Sequence, residues 1–364
     1  MKAKELINYL ENIIPLYIQE EYDNSGLIIG NENEYVSKAL ITLDCTEEVI
    51  DEAIENNCNI IIAHHPILFN GIKKITGSNY TEKVIFKAIK NNISIYAIHT
   101  NLDNYFFGVN KKICDKLKIQ NCEILAPKDS LFYKLIIYCP SINAEKIRNI
   151  ICENGAGHVG NYSFCTFSTT GIGTFKGNQN SKPYVGKKEK IHKEKETKIE
   201  VIIPANLKNK MTSIIIKEHP YEEPAFDFIP LKNNNLKIGS GMIGELDEEV
   251  EVHDFLNFIK KVMKARCIRH TKIIKKKIKK IAVCGGSGRF LLEKAINKNA
   301  DLFISSDFKY HDFFDADDKI IIADIGHYES EQYTKELIKD IIKEKFPKFA
   351  THLSQTNTNP INYL

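Results

Sequence analysis

The sequence predicts an α/β protein: a mostly parallel sheet with helices on both faces, formed from two halves of the chain, plus an inserted α+β domain of ferredoxin-like type. Three observations carry that prediction. Short apolar runs at 39–44, 59–63, 93–98, 279–284, 302–305 and 319–324 alternate with stretches of helical period, and strands alternating with helices imply βαβ units and a parallel sheet. The texture changes near Lys128, and the first texture resumes from Ile238. Several runs end directly in polar clusters, the place where open α/β sheets bind their ligands. The boundaries read 1–127 and 236–364 for a discontinuous α/β domain and 128–235 for the insertion.

Leu6, Ile7, Leu10, Ile13 and Ile14 recur at helical spacing, so an amphipathic helix opens the chain. Tyr22-Asp23-Asn24-Ser25-Gly26 reads as a turn before a short strand at 27–29. After the strand at 39–44, Thr46, Glu47 and Glu48 supply the hydroxyl and carboxylates that suit a helix N-terminus. A helix over 81–90 separates the next two strands. Within the insertion the order is a strand at 131–138, a helix at 143–153, a glycine-rich alternating stretch at 155–177, a solvated loop at 178–198, a strand at 199–203, a helix at 207–217 and a strand at 225–229. That order resembles a split βαβ unit. A helix over 252–264 follows, and Gly285-Gly286-Ser287-Gly288 links the strand at 279–284 to a helix near Phe290. Such a turn can cradle an anion on backbone N–H groups or simply make a tight bend.

The chemistry gathers at strand ends. Asn59 to Ala63 runs into His64-His65-Pro66, and Pro66 turns the chain so that both rings can reach one cleft. The doublet alone fits a buried, hydrogen-bonded ring beside a solvated one equally well. The strand at 93–98 runs into His99-Thr100-Asn101-Leu102-Asp103, and the strand at 319–324 into His327 and Glu331, whose spacing of four places both on one helix face. Together His64, His65, Asp103, His327 and Glu331 supply three imidazoles and two carboxylates. Five ligands exceed the needs of one tetrahedral zinc and suit two divalent ions, with Zn, Fe, Mn, Co or Ni all compatible. Metal-assisted hydrolysis is the reaction class implied. His99, Asp307 and His311 are candidates for outer partners, a general base or substrate contacts, or for plain structural hydrogen bonds.

Composition narrows the classes. With 50 basic and 47 acidic residues, the net charge of +3 gives no overall argument for nucleic acid or membrane. The nine cysteines include no C-x-x-C pair, and several sit in apolar runs, which suits buried thiols in a reducing cytosol. No apolar segment reaches the roughly 20 residues that span a bilayer, and residues 1–11 lack the apolar core of a signal peptide. The expectation is a cytoplasmic protein.

The motifs resemble the dinuclear-metal-centre hexamer family, the GTP cyclohydrolase 1 type 2 homologues. The likeness runs over nearly the whole chain through residues 22–27, Ala63-His64-His65-Pro66, residues 99–103, residues 285–288 and residues 326–331. It implies that His65 and Asp103 bind one metal and His64 and His327 the other, with Glu331 bridging. It also implies a toroidal homohexamer, an insertion of PII/CutA type, and hydrolysis of a purine nucleotide with a metal-bound hydroxide as nucleophile. The competing class is a non-enzymatic metal-handling or regulatory hexamer whose insertion senses a small molecule; nucleic-acid binding is a weaker third. Gly157-His158, Arg289 and Ser305-Ser306-Asp307 depart from the family pattern.

Overall fold

The apolar runs become strands because both of their faces are covered. The computed structural model describes residues 1–129, 131–233 and 237–364. The chain divides into two compact units, Met1–Pro127 with Leu236–Leu364, and Lys128–Asn235. The first unit begins α1 (Ala3–Ile13), β1 (Gly26–Ile29), β2 (Lys38–Thr42), α2 (Glu47–Glu55), β3 (Ile60–Ala63), α3 (Tyr80–Lys90), β4 (Ser94–Ala97), α4 (Thr100–Asn104), α5 (Val109–Lys116) and β5 (Gln120–Pro127). The second unit is β6 (Phe132–Pro140), α6 (Ala144–Glu153), β7 (Thr166–Lys176), β8 (Ile191–Pro204), α7 (Lys208–Glu218) and β9 (Phe226–Leu231). The first unit resumes with β10 (Gly239–Glu251), α8 (Val252–Val262), β11 (Arg269–His270), β12 (Lys277–Ser287), α9 (Leu292–Asn297), β13 (Leu302–Ser306), β14 (Ile321–Asp324), α10 (His327–Glu331), α11 (Thr334–Lys345) and β15 (Ala350–Leu353).

The α/β class and the two-half origin hold, with one refinement: each half builds its own sheet. The first has the order β1-β4-β3-β2-β15, and the second β11-β14-β13-β12-β10-β5. In the first, only the β1–β4 pair is antiparallel. In the second, β12, β13 and β14 run parallel between antiparallel neighbours. The halves exchange strands. β15, the last strand, pairs with β2, and β5 of the first half pairs with β10 of the second. Neither half completes its sheet alone.

Strand alternation shows how the sheets stack. Ile60 and Ile62 of β3, Leu302 and Ile304 of β13, and Ile321 and Ala323 of β14 share one central core with Leu6 and Leu10 of α1, Ile113 of α5, Ile259 of α8 and Ile338 of α11. The opposite faces are covered too: Ile61 packs under Val49 and Val84 of α2 and α3, and Phe303 and Ile322 pack with Leu292 and Ala295 of α9. Burial on both sides explains why these strands read as continuous apolar runs. Thr46 caps α2 by accepting from the Val49 N–H, as its residue type suggests.

The second unit is an antiparallel sheet of order β7-β8-β6-β9 with a core of Leu135, Ile137, Ile147, Ile151, Ile199, Val201 and Met211. Its β-α-β-β-α-β element order is that of a ferredoxin-like unit. One expectation is corrected here. Residues 191–198 belong to β8, not to a solvated loop, and pair along β7 from Lys176↔Ile191 to Thr169↔Lys198. Charged side chains hide this strand because backbone pairing, with little core burial, holds it. No helix among the described residues is long and apolar enough to cross a membrane.

After β15 the chain is tied to α2 through one carboxylate. Glu52 accepts from Ser354 Oγ at 2.6 Å, Thr356 Oγ1 at 2.6 Å, and the N–H groups of Gln355 and Thr356 at 2.7 and 3.2 Å. Burial pushes the Glu52 carboxyl up, but these donors outweigh it and hold the group below its ordinary 4.5. A depressed folded value means that the tie stabilises the fold fully above about pH 4.5 and is lost as the pH falls through the folded value. Glu52→Gln is therefore expected to lower unfolding free energy by about 1–2 kcal/mol at pH 7, discounted for partial exposure. Urea denaturation at pH 7 and at pH 3 checks this: the difference from wild type should shrink in acid, and equal stability at pH 7 would show that Glu52 does not hold the segment.

Candidate metal centre

The carboxyl ends of both sheets carry the cluster. His64 and His65 follow β3, His99 follows β4, Asp103 lies on α4, and His327 and Glu331 are the first and last residues of α10, directly after β14. Pro66 turns the chain as its residue type requires, and the His64 and His65 ring centroids lie 4.9 Å apart. His327 and Glu331 share one helix face. Their contact, His327 Nε2 to Glu331 Oε2, is 3.1 Å.

Each of the three histidines is held at Nδ1, which aims Nε2 inward. His64 Nδ1 donates to Ile98 O at 2.8 Å. A carbonyl only accepts, so the proton sits on Nδ1 and Nε2 keeps a lone pair. His65 Nδ1 lies 2.8 Å from Asp44 Oδ1, and His327 Nδ1 lies 2.6 Å from Asp307 Oδ2. Acceptors at Nδ1 with Nε2 left over are how metal-binding imidazoles are oriented. All three Nε2 atoms converge on one carboxylate oxygen: Glu331 Oε2 is 3.0 Å from His65, 3.1 Å from His327 and 3.9 Å from His64. Asp103 Oδ1 lies 3.5 Å from His64 Nε2.

The electrostatics show what the cluster attracts. Glu331 is fully enclosed, and burial would raise its carboxyl, yet His327 and His65 hold it well below the carboxylate range. Burial opposes charge on His65, but hydrogen bonds to Asp44 and Glu331 lift it to about 10; burial likewise opposes His327, but Glu331 and Asp307 lift it to about 11. Burial pushes His64 down to about 3 despite Glu331, with His65 and His99 adding to the fall. Asp103 is raised well above its usual value by burial and by Glu331. The field at this point draws positive charge. A divalent cation competes with protons for the same atoms.

A test of fit comes from the polar atoms themselves. Among the described residues, His64 Nε2 and Asp103 Oδ1 are buried and make no hydrogen bond, while Glu331 Oε2 meets only the His65 and His327 rings. Buried acceptors without donors are costly, and a cation is what such a set can hold. The donor atoms fall into three overlapping groups among the described residues: His65, His327 and Glu331; His64, Asp103 and Glu331; and His64, His65 and His99.

Other residues sort clearly. His99 belongs beside the cluster, its ring centroid 5.2 Å from both His64 and His65. Asp23 accepts from His99 Nδ1 at 2.8 Å and from Ser25 and Thr100. Asp307 is the His327 partner. His311 is exposed and packs against Tyr310 and Phe314, outside the site. Asp44 and Asp23 were legible only as a strand end and a turn; their place just beside strand termini was the one signal pointing to the centre. In the glycine turn the N–H groups of Gly285 and Gly286 donate to Asn110 Oδ1 and Ser330 Oγ, both at 2.9 Å. Gly286 has φ +61°, and a Cβ there would stand 2.3 Å from Glu331 Oε1, so the bare backbone is what lets the carboxylate in. Ser305 and Ser306 back it by donating to Gly286 O at 3.0 and 2.5 Å. Arg289 faces away to Asp312 and Asp315.

The cluster opens into a cavity of about 600 Å³ walled by Tyr22, Phe69, Tyr80, Phe290, Tyr328 and Ile361. Paired α/β sheets whose strand ends gather histidines around a buried glutamate define the class: an α/β protein with a candidate metal centre. The chain belongs to the Duf34/NIF3 (NGG1p interacting factor 3) family, whose model matches residues 1–360. It is 37% identical over its full length to proteins named GTP cyclohydrolase 1 type 2 homolog in Halalkalibacterium halodurans and Staphylococcus epidermidis, covering 99% and 100% of those chains. Solved structures agree: a Bacillus cereus protein related to NIF3 aligns at TM-score 0.76 and 38% identity, and a Staphylococcus aureus protein at TM-score 0.78 and 32%, each over 100% of this chain and 99% of the other.

Gly286→Ala tests the close approach. The added methyl must displace the Glu331 carboxylate and also strains a left-handed backbone, at about 1–2 kcal/mol. The expected outcome is a folded protein with metal affinity reduced at least about tenfold, read by equilibrium dialysis; unchanged affinity would mean that Glu331 is not placed by this glycine.

Proposed function

We propose that the protein holds two divalent cations and is a metal-dependent hydrolase acting on a ring-bearing small molecule of nucleotide type. The observation that carries the first part is the convergence of the buried, donor-free His64 Nε2 and Asp103 Oδ1 on the Glu331 carboxylate, where His65 and His327 also aim. In this reading His64, His65, Asp103, His327 and Glu331 would hold the two ions between them, with Glu331 common to the groups that contain His327 and Asp103. Nitrogen and oxygen donors without thiolate suit Zn, Fe, Mn, Co or Ni. Two such ions, when bound, lower the pKa of water and polarise a substrate oxygen or carbonyl.

The chain's own groups supply the rest. Asp23 fixes His99 through Nδ1, leaving Nε2 for a proton moved to or from substrate. Aromatic walls at Tyr22, Phe69, Phe290 and Tyr328 offer flat faces to a ring, and the names of the bacterial relatives support a purine nucleotide as the first substrate to try. The family resemblance supports a toroidal homohexamer, and the free cysteines suit a reducing cytoplasm.

Metal content by elemental analysis, with anomalous scattering from crystals grown without added metal, is expected to give two ions per chain, and Glu331→Gln to lose them with the fold intact. His99→Asn is expected to keep both ions and to lower turnover of GTP or a related nucleotide by about 10²- to 10⁴-fold. Stoichiometric metal with no turnover across a nucleotide panel would favour the metal-handling or regulatory role instead.

A further inference from the structure

We infer that the segment after β15 is a positioning element of the metal centre, with Thr358 fixing His65 through Asp44. The inference rests on the metal-centre reading above and adds a part of the chain that the ligand motifs do not include.

The geometry is a two-point grip. Ser354 N donates to Ile41 O at 2.8 Å, and the Glu52 carboxylate ties residues 354–356, so the segment is anchored before it reaches the site. Thr358 Oγ1 then donates to Asp44 Oδ2 at 2.7 Å, and the other oxygen, Oδ1, holds His65 Nδ1 at 2.8 Å. The next residue, Asn359, donates through Nδ2 to Glu329 Oε1 at 3.1 Å. Glu329 lies inside α10, between His327 and Glu331. Consecutive residues of one segment therefore hold both sides of the triad, the loop after β2 that orients His65 and the helix that carries the other two donors.

A carboxylate held at one oxygen alone can turn about its Cβ–Cγ bond. With Thr358 on Oδ2, the plane of Asp44 is set, and with it the direction of the His65 Nδ1–Nε2 axis toward Glu331. Anchoring at Glu52 already secures the segment to the fold, so the Thr358 hydroxyl is not needed for that purpose. Groups that orient a ligand from outside typically change metal affinity by 10–100-fold when removed.

The test uses the full chain and Co²⁺ alone as the probe, comparing wild type with Thr358→Val, which loses the donor, and Thr358→Ser, which keeps it. We expect T358V to weaken cobalt binding at one of the two sites by about 10- to 100-fold, with an altered visible absorption spectrum of the cobalt-loaded protein. T358S should restore both affinity and spectrum, and the metal-free melting temperature should be the same in all three. Wild-type affinity and spectrum in T358V would overturn the inference. So would a loss that T358S shares, or one that tracks a fall in metal-free stability. Wild-type protein that binds no cobalt is a different result: it would sink the metal-centre reading itself.

Discussion

The structure depends on one enclosed carboxylate oxygen, Glu331 Oε2, on which three imidazole nitrogens converge. An ionised carboxylate removed from water is unfavourable unless positive charge meets it. Here His65 and His327 are lifted far above the usual histidine value to do so, while His64, the most deeply buried, stays neutral. Every other feature near the site serves that oxygen: Gly286 gives it room, α10 carries it, and the Nδ1 partners turn the rings toward it.

That convergence is possible because the halves of the first unit are interlocked. His64 and His65 end a strand of one sheet, and α10 follows a strand of the other. The exchanged strands β5 and β15 and the common core of α1, α5, α8 and α11 bring the carboxyl ends of both sheets to one cavity. A candidate metal centre split between two sheets is held by the same contacts that hold the fold, so disturbing the interlock disturbs the distances between these side chains. The outward faces of both sheets pack under α2 and α3 and under α9.

Orientation in this site is layered. Ile98, Asp44 and Asp307 set the three rings, and Thr358 and Asn359 in turn hold Asp44 and the α10 glutamate. His99 has its own support in Asp23, with Ser25 and Thr100 behind it. Rings fixed in this way need little rearrangement when a cation or a substrate arrives.

By itself, the sequence determined the class of fold, the strand-end position of His64, His65, Asp103, His327 and Glu331, and membership of the family, because apolar runs buried on both faces and i,i+4 pairs on one helix face are local patterns. It did not determine that the two halves form separate sheets or that residues 191–198 are strand. Those depend on which distant segments pair, and pairing between exposed, charged strands leaves no hydropathy trace. Asp44, Asp23 and Thr358 were equally hidden, since a hydrogen bond between residues 44 and 358 has no signature at either position. Only the tertiary structure, by laying the end of the chain across the ends of both sheets, decided their role.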